Sequence, residues 1–324
     1  MRRKTALQKK LKAGRAGKRA GKSIAQKLGI KKQKASQASA RAKKPKSVHK
    51  AMRAQIDAQR RPVLAKLEAA VLPEKAKKPE TVRTYIPGLD VLLYEGIPKG
   101  ATVLVAGGPG SGKTILCLQM AHAAAERGEK CLYLSFEESE HRLREHMATF
   151  GWHPLTHENE RNLVIRRVAP FEIGRAVDAL LAKARGELLI DIEPVVLPER
   201  FKPDRIFIDS LTAIASTFIG AEESYRIYIE QLFRFFEKLG ATTFLITETE
   251  NIPTKYSPTG VEEFLADGVL VLYTIRRGKL RENAVEVLKM RGVDHRKYIV
   301  ALRISNKGIE VFPEQEILVL PTFA

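Results

Sequence analysis

The sequence predicts an α/β protein with a mainly parallel central sheet, flanking helices and an antiparallel strand extension toward the C-terminal end. Three observations carry this. The apolar run Val103-Leu104-Val105-Ala106 enters the glycine-rich stretch Gly107-Gly108-Pro109-Gly110-Ser111-Gly112-Lys113-Thr114, which enters residues of helical spacing. Strand-like and helix-like segments then alternate as far as Asp267, the pattern of parallel strands joined by crossover helices. Beyond Asp267 strand-like segments follow one another directly, as antiparallel strands do at a sheet edge.

Charge divides the chain before this region begins. The 324 residues carry 56 Lys and Arg against 37 Asp and Glu, a formal net charge of +19. Of these, 26 cations and only three acids (Asp57, Glu68 and Glu74) fall in residues 1–78, which therefore carry about +23 while the rest carries about −4. No aromatic residue precedes Tyr85, so this part lacks the apolar surface that would offset chain entropy. Residues 1–46 are expected to be a basic tail, disordered when free. Residues 47–78 read as a short helical linker: Met52 and Ile56, then Leu64, Leu67 and Val71, recur at helical spacing, and Pro62 breaks the run. Residues 79–324 suffice for one large α/β domain.

The tail's cations, without interleaved aromatics, suit neutralisation of DNA or RNA phosphates; protein docking, anionic lipid and simple solubilisation are the alternatives. Cys117 and Cys131 show no disulfide or zinc pattern, which points to a reducing compartment. No apolar stretch is long enough to cross a bilayer, and the N-terminus lacks the apolar middle of a secretion signal. A cytoplasmic protein is expected; an organelle transit segment is the alternative for so basic a start.

Taken in order, Lys113 to Arg127 is apolar at helical spacing and stops at Gly128, and Cys131 to Ser135 is a short buried strand. Glu138 to Phe150 reads as a helix, Val164 to Val168 as a strand and Ile173 to Ala184 as a helix. Arg205 to Ile208 is a strand running into Asp209. Tyr225, Ile229, Leu232, Phe233 and Phe236 line one face of a helix that ends at Gly240. Strands follow at Phe244 to Thr247, Val269 to Tyr273, Ala284 to Leu288, Ile299 to Ile304 and Ile309 to Phe312.

The strand–loop–helix order at Gly107 is that of a nucleoside-triphosphate site. Glycines let successive backbone N–H groups face one anion, Lys113 reaches the outer phosphates, and the Thr114 hydroxyl can ligate magnesium. Asp209, at the end of an apolar strand, fits the carboxylate delivered to the magnesium's outer shell, although a strand-ending Asp also occurs for structural reasons. Glu137 and Glu138 end the Cys131 strand, where in this topology they are expected beside the phosphate loop; a carboxylate there can orient or deprotonate an attacking water. Alternatively both merely favour the N-terminus of the next helix.

Further segments make the region from Tyr85 to Pro313, about 70% of the chain, resemble the KaiC-like branch of the RecA superfamily of P-loop ATPases. Ile86-Pro87-Gly88-Leu89-Asp90 with Gly96-Ile97-Pro98-Lys99-Gly100 is similar to the family's leading segment, and Leu134-Ser135-Phe136-Glu137-Glu138 to its catalytic glutamate pair. Gly260-Val261-Glu262-Glu263-Phe264, Asp267-Gly268-Val269 and Leu288-Lys289-Met290-Arg291-Gly292 with His295 complete the likeness.

The resemblance implies a ring, usually a hexamer, with ATP and Mg2+ held between subunits. It implies a nucleotide-binding set of Gly108, Pro109, Gly110, Ser111, Gly112, Lys113, Thr114 and Ile115, joined by Thr149, Met290, His295, Ser305 and Asn306. Lys113, Glu137 and Glu138 would catalyse from one subunit and Lys289 and Arg291 from its neighbour; the alternative is that this pair only solvates a strand end. Glu262 and Glu263 occupy the place of the family's phosphorylated hydroxyls, which argues for hydrolysis over autophosphorylation, although Ser257 and Thr259 lie just upstream. Val293 replaces a family threonine near the nucleotide. The segment Glu248 to Phe264 has a net charge of −3, which disfavours binding single-stranded nucleic acid there. The expected activity is ATP hydrolysis in a regulatory module; the alternatives are a nucleic-acid-binding recombination or repair accessory using the tail, and a non-hydrolysing ATP-dependent scaffold.

Overall fold

Among the described residues of the computed structural model, nine strands form one sheet in the order β11-β10-β9-β8-β3-β7-β6-β4-β5. The structure describes residues 78–169 and 197–318 with isolated positions between them, so the tail, the linker through residue 77 and most of the helix expected over 173–184 lie outside the described residues. The strands are β3 Thr102–Gly107, β4 Cys131–Ser135, β5 Leu163–Arg167, β6 Arg205–Asp209, β7 Thr242–Glu248, β8 Gly268–Arg277, β9 Leu280–Met290, β10 Val300–Ser305 and β11 Gly308–Glu316. Strands β3 to β8 run parallel, and β9, β10 and β11 extend the sheet antiparallel from β8. A two-stranded ribbon, β1 Thr81–Val82 with β2 Ile97–Pro98, precedes them.

The helices are α1 Leu89–Leu92, α2 Lys113–Ala125, α3 Glu140–Thr149, α4 Pro154–Asn159, α5 Leu211–Ser216, α6 Glu222–Leu239 and α7 Val261–Leu265. Continuous apolar runs become central strands because both faces of the sheet are covered. Along β3, Val103 and Val105 enter the core beneath α2, while Leu104 enters the core beneath α5 and α6. Phe207 faces the first core and Ile206 and Ile208 the second, so one period-two alternation fills two layers. Tyr133, Phe207 and Phe244 stack in sequence across β4, β6 and β7, with ring centroids 6.0 and 5.1 Å apart.

Several boundaries differ from expectation for local reasons. Helix α3 starts at Glu140, not Glu138, because the Ser135 hydroxyl accepts the Glu138 N–H at 2.9 Å and Ser139 caps the helix through the Arg142 N–H. Helix α2 ends at Ala125, and Glu126 to Gly128 form a turn. Helices α4, α5 and α7 each span about one turn or two, too short for a periodic signal. Strand β4 is separated from β3 by β7 and β6, so it does not adjoin the strand that feeds the glycine loop.

At the amino end of the parallel strands, the fully buried Arg205 guanidinium donates to both Glu129 carboxylate oxygens at 2.7 and 2.8 Å and to the Arg83 carbonyl at 2.7 Å. The Tyr85 hydroxyl donates to the same carboxylate at 2.8 Å. This ties the leading segment to β6. Removing one partner of a buried pair strands the other charge, so Glu129→Ala is expected to lower stability by about 3 kcal/mol, read from urea midpoints; a change below about 1 kcal/mol would show the pair to be dispensable.

Candidate active site

The carboxyl ends of the parallel strands are level. Gly107 of β3 pairs with Glu248 of β7, and Ser135 of β4 pairs with Asp209 of β6, so four strand ends open on one cleft of about 480 Å³. It is lined by Pro109, Gly110, Gly112 to Ile115, Glu137, Glu138, His146, Thr149, Phe150, Asp209, Ser210 and Glu248 among others. A larger hollow of about 770 Å³ on the antiparallel extension, bordered by Arg277, Arg281, Arg303 and Phe312, contains none of these residues.

Backbone geometry dictates the glycines. A Cβ on Gly108 would stand 2.4 Å from Asn251 Oδ1 and 2.9 Å from Asn251 Cα, while Gly112 has φ +98° and a Cβ there would meet Ile304 at 2.7 Å. The loop so formed ends on the first turn of α2, where unpaired N–H groups face an incoming anion. The Lys113 ammonium folds back and donates to the Gly108 carbonyl at 3.0 Å. Its burial lowers the pKa, opposed by the carboxylates of Glu248, Asp209 and Glu137. Ser111 Oγ is buried and has no hydrogen-bond partner among the described residues.

The carboxylates are arranged by their neighbours. Asp209 Oδ2 accepts from the Thr114 hydroxyl at 2.9 Å and the Tyr133 hydroxyl at 2.8 Å, which puts the two residues expected to hold magnesium in contact. Glu137 Oε1 accepts from the Ser210 hydroxyl at 2.5 Å. Glu138 Oε2 is buried without a hydrogen-bond partner among the described residues; the Arg142 guanidinium and the His146 ring stand 3.3 and 3.6 Å away. A glycine cradle, an unpartnered serine hydroxyl, a lysine satisfied only by its own loop, and a Thr–Asp pair together fit a triphosphate with Mg2+.

Among the other expected residues, Ile115 and Thr149 line the cleft, and the Thr149 hydroxyl donates to the His146 carbonyl at 2.7 Å. Lys289, Met290, Arg291, His295, Ser305 and Asn306 do not line it. The Met290 side chain is buried beneath Gly268, where it packs in the core and does not present itself to a ligand. Lys289 donates to the carbonyls of Glu263 and Ala266 at 3.0 and 2.6 Å, and Arg291 to those of Phe264 and Leu265 at 2.7 and 3.3 Å, so both cap the end of α7. His295 buries both ring nitrogens without a partner among the described residues. Ser305 and Asn306 turn the β10–β11 hairpin, which docks on α2 through Gln119, bonded to the Ile309 backbone at 3.1 and 2.6 Å.

Val293 packs against the core. Glu262 is fully buried, accepting from Tyr225 at 2.5 Å and Thr259 at 2.8 Å, and Glu263 accepts from the Tyr256 N–H and Ser257 hydroxyl at 2.5 and 3.2 Å. Both glutamates therefore organise the loop before α7. Sequence reasoning missed Glu248, Tyr133, Ser210 and His146 as site residues. Glu248 closes an apolar strand as Asp209 does, which was a usable signal; the other three gain their roles only through packing.

Burial pushes the Asp209 carboxyl up to about 6, with Glu137 and Glu138 adding to the rise and the Tyr133 and Thr114 hydrogen bonds opposing it. Because the folded value exceeds the ordinary 3.8, this group's contribution is fully present below about pH 4 and is lost as pH rises through about 6. Asp209→Asn should therefore gain on the parent by on the order of 3 kcal/mol between pH 4 and pH 8 in magnesium-free buffer. Parallel urea-midpoint profiles for the two proteins would refute this.

Residues 82–316 match the family described as ATPase: KaiC. The chain is 34% identical over 235 residues to circadian clock protein KaiC3 of Synechocystis sp., and 30% identical over 244 residues to circadian clock oscillator protein KaiC of Nostoc sp., each match covering 72% of this chain. It spans somewhat under half of each of these relatives, 46% and 44%. A crystal structure of a KaiC-like protein from the hyperthermophilic archaeon Pyrococcus horikoshii superposes with a TM-score of 0.60 at 31% identity, covering 72% of this chain and 99% of that one. The chain thus belongs to the KaiC-like ATPase family of the RecA superfamily, with one such domain over residues 82–316.

Proposed function

We propose that this protein is a magnesium-dependent ATPase that assembles as a ring, usually a hexamer in this family, and hydrolyses ATP slowly as a regulatory or signalling module. The observation that carries this is the convergence of Lys113, the Thr114–Asp209 pair and three carboxylates on one cleft. Lys113 exchanges its loop carbonyl for phosphate oxygens. Thr114 and Asp209 hold Mg2+, which when bound neutralises charge on the phosphates. Glu138, whose buried oxygen has no hydrogen-bond donor among the described residues, takes the proton of the attacking water, while Ser210 holds Glu137 beside it. Magnesium also lowers the cost of crowding Asp209, Glu137, Glu138 and Glu248 in one site.

The strand register supports a catalytic contribution from a second subunit. Met290 pairs with Gly268, and Gly268 with Val103, so Arg291 sits level with the start of β3, about 15 Å along the strand from Gly107. Lys289 and Arg291 therefore serve a neighbour's cleft. In that role they stabilise charge on the transferred phosphoryl group, as arginine fingers do, by about 10³-fold or more in rate. The relatives named circadian clock proteins make a regulatory output the natural use of slow turnover.

Fluorescent-nucleotide titration should show saturable ATP binding that Lys113→Ala weakens about 100-fold, and Glu138→Gln should retain binding while phosphate release falls about 100-fold or more. Arg291→Ala and Glu138→Gln subunits, each slow alone, should recover turnover when mixed. Binding indifferent to Lys113 would end this reading, and mixtures no faster than their parts would end the trans assignment.

A second reading rests on the charge segregation, with about +23 in residues 1–78: the tail binds nucleic acid and ATP controls assembly. Deleting residues 1–46 should then abolish a steeply salt-dependent affinity for DNA or RNA and leave ATP turnover intact. An intact protein that ignores both at low salt would exclude this.

A further inference from the structure

We propose that His122, Glu126 and His157 form a binding site for a zinc-type divalent cation at the C-terminal end of α2, separate from the phosphate-binding cleft. Their candidate ligand atoms all lie within 4.8 Å of one another, an arrangement that no other His, Cys, Asp and Glu group among the described residues matches. His122 lies in the last turn of α2, Glu126 follows its end, and His157 comes from α4.

The two rings face each other. His157 Nε2 and His122 Nδ1 are 3.1 Å apart, close to the roughly 3.3 Å that a tetrahedral ion with 2.0–2.1 Å bonds imposes on two nitrogen ligands. Glu126 Oε1 stands 3.6 Å from His122 Nε2, the ring nitrogen that does not face His157, and its half-exposed side chain has to turn to bring a carboxylate oxygen onto the ion. His157 is 7% exposed, and its outer nitrogen, Nδ1, has no hydrogen-bond partner among the described residues although Glu160 Oε2 lies 3.9 Å away. That suits a histidine that ligates through Nε2 while its other nitrogen faces an orienting carboxylate. As the ion enters, the proton between the rings moves to the outer nitrogen of the ring that carries it, Nδ1 of His157 or Nε2 of His122, so both imidazoles bind neutral. Burial, the largest influence on His122, favours that neutral form.

Trp152 stacks on His122 at 5.7 Å and Phe150 on Trp152 at 4.7 Å, which closes one side of the site. Two nitrogens and one carboxylate, without thiolate, select zinc and its first-row neighbours over magnesium or calcium. The ion pins α4 to α2, the helix whose first residues are Lys113 and Thr114.

The test uses the full chain, freed of metal by chelator and titrated with Co2+ alone. One Co2+ per chain with the intense visible bands of tetrahedral coordination, displaced by Zn2+, is the expected result. Glu126→Gln, on a half-exposed residue, should weaken binding by about tenfold or more, and His157→Ala further, while Asp209→Asn leaves binding unchanged. Three results would overturn the site: weakly coloured octahedral Co2+, Zn2+ affinity indifferent to Glu126 and His157, or binding that is lost with Asp209.

Discussion

Asp209 Oδ2 accepts hydrogen bonds from Thr114 at the head of α2 and from Tyr133 within β4, so one buried oxygen joins three elements around the end of β6. The phosphate loop enters α2 one residue before Thr114, and β4 ends two residues after Tyr133, with the glutamate pair following at Glu137 and Glu138. Moving any of the three would misplace the others. The proposed magnesium site uses a carboxylate there, yet the surroundings disfavour its charge, as the rise to about 6 shows. Such a group is stable in place only because the surrounding sheet is packed on both faces, with β3, β4 and β6 fully buried along their length.

Strand register turns this local arrangement into a site. Strands β3, β7, β6 and β4 end at one level, so a glycine loop, two single carboxylates and a glutamate pair from segments more than a hundred residues apart open on one cleft. The same register sends Lys289 and Arg291 to the other end of the sheet. Their hydrogen bonds to the carbonyls of α7 link them to the loop that Glu262 and Glu263 hold, and that loop begins at Glu248 in the cleft. A continuous segment therefore runs from the phosphate site to the pair of cations assigned to a neighbour.

Much of the fold was legible because continuous apolar runs and their glycine stops are local signals. The expected strand at Cys131 to Ser135 has its observed bounds, that at Arg205 to Ile208 extends by one residue to include Asp209, and the helix ending at Gly240 does so because its C-terminal N–H group and left-handed glycine form a cap. The loop at Gly107 to Thr114 and the strand-ending Asp209 were readable for the same reason. The start of α3 was not, since a serine three residues upstream captures the backbone of Glu138. Met290 could not be judged either: its place beneath Gly268 depends on pairing between β8 and β9.

By itself the sequence determined the phosphate loop, the carboxylate that ends β6, the alternation that makes a parallel sheet and the segregation of charge into the first 78 residues. Each is written in adjacent residues or in short periods, where backbone sterics and burial act directly. Only the tertiary structure decided that Ser210 holds Glu137, that Tyr133 steadies Asp209, that Glu248 shares the cleft and that His122 meets His157. Those pairings join distant segments, and their geometry follows from strand order and register, which no local pattern contains.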